Sequence, residues 1–302
     1  MNALDVIEAQ TADLAPELTE KPRSELELAL VRKMETGRAA LPVLPRVATH
    51  ALKLAGNPEA SVSELGRLID GDPPIAARFL SVANSVIYFR GLRTSSTQAA
   101  IVRLGLQHTR DLLFQVVYAA SMTGLKRFHE PVRRSFDRSV VCALAARQAA
   151  EMLSMDLDSA YMCGLLHDIG EARIYRILEE LRPPPGGDQE IAELVAAYHC
   201  RAGAEVAKAW QLPAEIVDAC SFHHESGECT PHVRIVKISD AVADAVEGSF
   251  DPERFLVLGL QEDTARELVN GALPPGKRLP PSSRPRGVSM RSPDGPISRF
   301  PR

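Results

Sequence analysis

Aromatic residues are scarce in this sequence, with one tryptophan, five tyrosines and nine phenylalanines in 302 positions. No stretch of useful length alternates apolar and polar residues, so half-buried strands find no support. Alanine and leucine are abundant and 45% of the chain is hydrophobic, which favours helices around a real core. The five cysteines (Cys142, Cys163, Cys200, Cys220, Cys229) form no CxxC pair and no zinc-ribbon spacing. An odd, scattered set excludes a disulfide framework and is expected as free, mostly buried thiols in a reducing cytosol. No run approaches the roughly 20 apolar residues of a membrane span, so no membrane partner is expected. The opening, MNALDVIEAQTADLAPELTEK, is acidic and lacks the basic and apolar regions of a signal peptide. Together these absences predict a cytoplasmic protein.

A net positive charge is missing from most of the chain as well. The net charge is −4, yet residues 274–302 carry seven basic residues against one acid, which leaves the remainder at −10. An acidic body argues against broad nucleic-acid binding. Only Phe300 is interleaved with the arginines of the tail, too little for a stacking platform.

What is present is a succession of helix signals. Residues 1–40 are polar and acidic and read as a partly helical leader. LPVLPRV, 41–47, is a proline-bounded entry into the globular part. In PEASVSELGRLID, Ser61 followed by Glu64 makes a capping box, with Leu65, Leu68 and Ile69 turned inward. DPPIAARFLSVANS places its prolines in a first turn, and Ile75, Phe79, Val82 and Ala83 keep one helical stripe. A longer helix is predicted over about 107–124. GLKRFHEP, 124–131, is the best internal boundary. Further stripes follow at Phe136, Val140, Ala143 and Leu144, then Met162, Leu165, Leu166 and Ile169, then Ile191, Leu194, Val195 and Tyr198. The fold class is therefore all-α, in two packed helical halves over 41–125 and 126–272. The Pro/Ser/Arg segment 273–302 cannot bury enough to offset its ordering entropy and is expected to be disordered. Asn84–Ser85 is expected to close its helix by local bonds. Trp210 is expected in the core, and His108 and His232 at the surface.

Within GLLHDIGEAR, 164–173, His167 stands directly before Asp168. Such a pair can hold a metal ion that activates water for phosphate-ester hydrolysis, although alone it is weak evidence. Further candidates follow: His199 in YHCRAG, His223 and His224 in FHHES, and Asp240 in VKISDAVAD. Asp240 lies at the edge of an apolar face with Val233 and Val236. A carboxylate there is costly unless it is paired with a base or bound to metal.

This order of His–Asp, His, His–His and Asp on a helical scaffold resembles the HD superfamily of metal-dependent phosphohydrolases. The resemblance implies a further ligand histidine on the preceding helix, in an aromatic–x–His–Ser pattern. Here that stretch reads Phe136, Asp137, Arg138, Ser139, and a guanidinium has no lone pair to donate. The first half sharpens the match. LPxLP, Asp72–Pro73, Ala83–Ser85 and the AIVRLG of Ala100–Gly105 are similar to the HDOD domain, and the combined resemblance covers about 40–270. HDOD membership implies a signalling or output module related to HD enzymes, most of which lack a complete catalytic site. HHESGECTPHV contains no Gly-Tyr-Pro, so the activity of the HD-GYP cyclic-di-GMP phosphodiesterases is not implied.

Two functions follow. The first is a non-enzymatic regulatory module in bacterial signalling with a signalling protein as partner and no cofactor. In it Arg138 bridges Asp168, Asp240 or both in a degenerate site that also contains His167, His199, His223 and His224. The alternative is a phosphohydrolase acting on a nucleotide or phosphoester. There His167, Asp168 and Asp240 would hold a divalent ion (Mn, Fe, Mg or Zn), and His199, His223 or His224 would ligate a second or steady the phosphate.

Overall fold

A computed structural model describes residues 24–36, 61–85, 91–121, 125–181, 186–248, 250–273 and 278–279. The LPxLP motif, most of the leader and nearly all of the basic tail lie outside them, and with them the expectation of a disordered tail. Among the described residues there are thirteen helices and no strand. None of these helices is long and apolar enough to cross a membrane.

The first half is a small bundle of α2 (Val62–Asp70), α3 (Pro73–Ala83), α4 (Thr97–Leu104) and α5 (Leu106–Ser121). Its starts are written locally. Ser61 and Glu64 form the expected capping box, Asp72 caps the Ile75 N–H ahead of Pro73, and Ser96 caps Ala99. Leu65, Ile69, Phe79, Ile101 and Leu113 close the core between them. Asn84 closes its helix through its backbone N–H, which donates to Leu80 O at 3.0 Å, and not through its side chain. Its side-chain amide instead exchanges two 2.8 Å bonds with the backbone of Thr94, and Arg103 donates to Asn84 Oδ1, Ala83 O and Leu92 O. The ANS and AIVRLG motifs thus form one hydrogen-bonded unit. Gly105 ends α4 at a φ of +80°, a conformation costly for any residue with a Cβ, and lets α5 begin at once.

The second half contains α6 (His129–Met152), α7 (Leu157–Leu166), α8 (Ile169–Glu180), α9 (Asp188–Ala209), α10 (Ala214–Phe222), α11 (Pro231–Val246), α12 (Pro252–Val257) and α13 (Glu262–Ala272). Tyr161, Leu165, Ile169, Ile174 and Val206 are central to its main core. Trp210 is only partly buried at the rim of that core. Leu144, expected on the inner stripe of α6, is 52% exposed. The buried face is instead carried by Val132, Ser135, Ser139, Cys142, Ala143 and Ala146, one step round the helix. Small residues there let α7 approach closely. A Cβ on Gly164 would lie 2.7 Å from Cys142 O and 2.9 Å from Ala143 Cα.

The leader supplies α1 (Glu25–Thr36), which belongs to the second half. Its Leu30 and Met34 join the main core. Buried Arg173 on α8 pairs with Glu205 and donates to Met34 O at 3.2 Å, and the Tyr198 hydroxyl donates to Glu27 at 2.8 Å. The halves meet where Arg147 on α6 makes two bonds to Asp111 on α5, at 2.5 and 2.6 Å. The same guanidinium lies 4.0 Å from the Tyr161 ring centre.

Candidate metal centre

His167 ends α7 and Asp168 begins α8, so the dipeptide is the turn between two buried helices. Its position over α9 depends on Gly170. A Cβ there would collide with the carbonyl of His199 and come within 2.5 Å of Gly203 N. With glycines facing each other, α8 and α9 touch through their backbones, and His199 is brought against the turn. His223 ends α10 on the far side of the same space.

Each of the three buried imidazoles is aimed by its own helix. Nδ1 of His167 lies 2.9 Å from Gly164 O, that of His199 3.0 Å from Val195 O, and that of His223 2.8 Å from Ala219 O. A carbonyl only accepts, so each Nδ1 carries a hydrogen and donates it. Each Nε2 is then turned inward, as it is in metal-bound histidines whose other ring nitrogen donates to a carbonyl or carboxylate. Nε2 of His223 and His199 lie 3.2 and 3.6 Å from Asp168 Oδ1 and 3.3 Å from each other. Nε2 of His167 is 3.0 Å from Asp168 Oδ2 but out of hydrogen-bonding alignment. Among the described residues, His167 Nε2 and Asp168 Oδ1 are buried with no hydrogen-bond partner. Buried polar atoms left so are rare and costly.

The other carboxylate is served differently. Asp240 on α11 is buried, and its Oδ1 is 2.5 Å from Arg138 Nη2. Arg138 also reaches Asp244 at 2.7 Å and Glu247 at 3.4 Å. Arg254 from α12 approaches Asp240 Oδ2 at 3.2 Å and pairs with Asp244 as well. Among the described contacts Arg138 pairs with Asp240 and not with Asp168. His167 Nε2 is 3.9 Å from Asp240 Oδ1, so the two groups adjoin.

Charge follows this division. Burial pushes both carboxyls up, but the His167 ring and its neighbours outweigh it. They hold Asp168 well below the ordinary value and, with Arg138, lower Asp240 too. Burial disfavours the charged form of His199 and His223, yet contacts to Cys200 and Asp168 raise the first and contacts to Asp168 raise the second. His224 is pushed down to about 4 by burial and by the two neighbouring imidazoles. Its ring centre lies 4.1 Å from that of His223 and 5.0 Å from that of His199.

All seven predicted residues therefore converge on one region. Sequence reasoning passed over Cys200, Asp244, Glu247, Arg254 and Glu171. Burial and the charge of Asp168 push the Glu171 carboxyl up. Asp240 and Asp244 stand four residues apart on one helix, a spacing that put both acids on one face and signalled the need for a shared cation. His108 is exposed, as expected, but His232 is half-buried, its Nε2 3.3 Å from the Ser159 hydroxyl.

Residues 41–226, well over half of the chain, match the HDOD domain. The chain belongs to the HDOD domain family. The acids that hold Arg138 lie beyond the matched span. Among curated relatives, an uncharacterized protein of Treponema pallidum (strain Nichols) is 26% identical over 195 residues, which is 61% of this chain and 37% of the relative. Ribonuclease Y of Mycoplasmoides gallisepticum is 28% identical over 115 residues, 36% of this chain and 18% of that protein. The chain thus spans well under half the length of either. An HDOD domain protein of unknown function from Geobacter sulfurreducens superposes with a TM-score of 0.59 at 23% identity, covering 81% of this chain and 88% of that one. A Shewanella amazonensis SB2B protein assigned provisionally to the metal-dependent phosphohydrolases gives 0.60 at 19% identity, over 81% and 97%. A Marinobacter aquaeolei VT8 protein assigned provisionally to signal transduction gives 0.59 at 19% identity, over 87% and 65%. These likenesses establish an HDOD-type helical fold.

Proposed function

We propose that this HDOD chain is a non-enzymatic regulatory module of bacterial signal transduction that acts by binding another protein. The observation that carries this reading is the Arg138 guanidinium seated on Asp240. An ion shared by His167, Asp168 and Asp240 would polarise a water molecule for hydrolysis. The residues present do not fit an ion in that position. Both oxygens of Asp240 face arginines, and a guanidinium at 2.5 Å repels a divalent ion where a ligand would attract it. By its resemblance to the HD phosphohydrolases, Arg138 takes the position of a ligand histidine, and it supplies the positive charge that Asp240 needs.

The hydrolase reading has one observation in its favour, the unpartnered His167 Nε2 and Asp168 Oδ1 beside the converging imidazoles. Donor atoms of His167, Asp168 and His223 lie within 4.8 Å of one another, as a metal site requires. One assay separates the two readings. Purified chain with manganese is expected to leave nucleoside phosphates and cyclic dinucleotides intact while retaining a signalling protein from a bacterial lysate. Manganese-dependent hydrolysis that disappears in Asp168→Ala would overturn the regulatory reading.

A further inference from the structure

Residues 240–273 hold eight acids against two arginines, a net charge of −6. Both arginines are engaged there, Arg254 by Asp240 and Asp244 and Arg266 by Glu262, while Arg138 reaches Glu247. Asp251, Glu253, Asp263 and Glu267 are exposed, and among the described residues no cation pairs with them. On α13, Asp263, Glu267 and Asn270 stand at i, i+4 and i+7 and so share one face. On α12, which packs against α13, Glu253, Leu256 and Val257 share another, with Leu256 45% and Val257 87% exposed. Acids and bare apolar side chains thus lie on adjoining helices.

The chain is itself seated at one end of the α13 face. The Leu279 N–H donates to Asn270 Oδ1 at 2.8 Å, and the Leu279 side chain packs against the core shared by α11, α12 and α13. The 23 residues that follow carry five arginines and one acid, a net +4, together with Val288, Met290, Ile297 and Phe300. Arg284 is five positions beyond Leu279, at most about 17 Å of chain. Asp263 is only about 10 Å along the helix from Asn270, so the arginines reach the acids.

We infer that the basic segment 280–302 docks in cis on the acidic face of α13 and α12, anchored at Leu279. Its low apolar content denies it a core of its own but not adhesion by charge. Each exposed ion pair contributes little alone. The tether at Leu279 makes the encounter intramolecular, at an effective concentration on the order of millimolar, so several weak pairs suffice. A basic partner that used the same face would first have to displace the segment. The inference goes beyond the regulatory reading and does not depend on it.

The test reads backbone relaxation of the full chain labelled with nitrogen-15. At about 0.1 M salt the amides of residues 284–300 are expected to show clearly positive heteronuclear NOEs, and at about 1 M, where the screening length falls to about 3 Å, to drop to the values of an unfolded chain while α13 stays rigid. Arg284→Gln/Arg286→Gln/Arg291→Gln changes no described helix and is expected to release the segment at the lower salt. Glu253→Gln/Glu267→Gln is expected to do the same from the other side. A charge-matched control on α8 and α9, Glu180→Gln/Glu193→Gln, is expected to leave it docked. Unfolded-chain values in the parent at the lower salt, or equal release by the control, would overturn the inference. So would release by one equivalent of short duplex DNA at that salt, which would assign the segment to nucleic acid. Neither hydrolysis nor partner capture is read, so this outcome and that of the manganese assay are separable.

Discussion

Asp168 and Asp240 are two buried carboxylates in adjoining parts of one site, bridged by His167, and the fold treats them in opposite ways. Asp240 has a permanent cation at 2.5 Å, a second at 3.2 Å, and a neighbouring acid, Asp244, that shares both arginines. Among the described residues Asp168 is paired only with imidazoles, three Nε2 atoms between 3.0 and 3.6 Å. Arginine stays charged in any surroundings, whereas a histidine charge depends on pH and is withdrawn when the ring binds metal. The arginine side is therefore fixed as an ion-pair network, and the imidazole side remains open to a proton or an ion.

The comparison breaks most severely at Arg138. Arg138→Ala leaves Asp240 and Asp244 facing each other with only the more exposed Arg254 between them. Equilibrium unfolding should show a loss of about 3 kcal/mol, the lower end for a broken buried pair because the guanidinium is partly solvated. Stability equal to the parent would mean that the network contributes nothing. Gly170→Ala should act on the other side alone. Its Cβ must push α8 from α9, and the expected cost is about 2 kcal/mol. The Arg138–Asp240 pair should survive in that variant, as a crystal structure would show.

Arg254→Ala removes the outer cation from the same carboxylates and should cost under about 1 kcal/mol, since exposed pairs contribute little. A cost matching that of Arg138→Ala would show that the two arginines act as one unit. The smallest effect concerns pH. Asp240 has its carboxyl lowered from the ordinary value of 3.8, so its contribution is present above that pH and is lost as pH falls through the folded value. Asp240→Asn should lose less stability than the parent in that acid window. Parallel stability curves from pH 5 to pH 2 would contradict the shift.

Much of this was legible before the fold was known, and the reasons are local. Ser61 announces its helix because its side-chain oxygen bonds an N–H three residues on, a contact that sequence spacing contains, whereas the similar caps at Asp72 and Ser96 were passed over. The HDOD motifs and the seven site positions were legible for a similar reason, since order along the chain survives folding. Leu144 shows the limit. An apolar residue at stripe spacing was read as core, but α6 buries an alanine- and serine-rich face because Gly164 lets α7 come too close for larger side chains. Arg138 was readable as a replaced ligand with Asp240 as one of two expected partners, yet its choice of Asp240 over Asp168 and its pairing with Asp244, 106 positions away, were not.

By itself, then, the sequence determined an all-helical HDOD chain and the residue types gathered at its site. The tertiary structure decided which carboxylate received the arginine and which was left among imidazoles. It also turned Cys200 from a scattered cysteine into a neighbour of two histidine nitrogens, at 3.4 and 4.0 Å. The physical reason is that helix capping and periodicity act over a few residues, whereas a charge is neutralised by whatever lies within a few ångströms. Only the packing of α6 on α11 and α8 on α9 sets those distances.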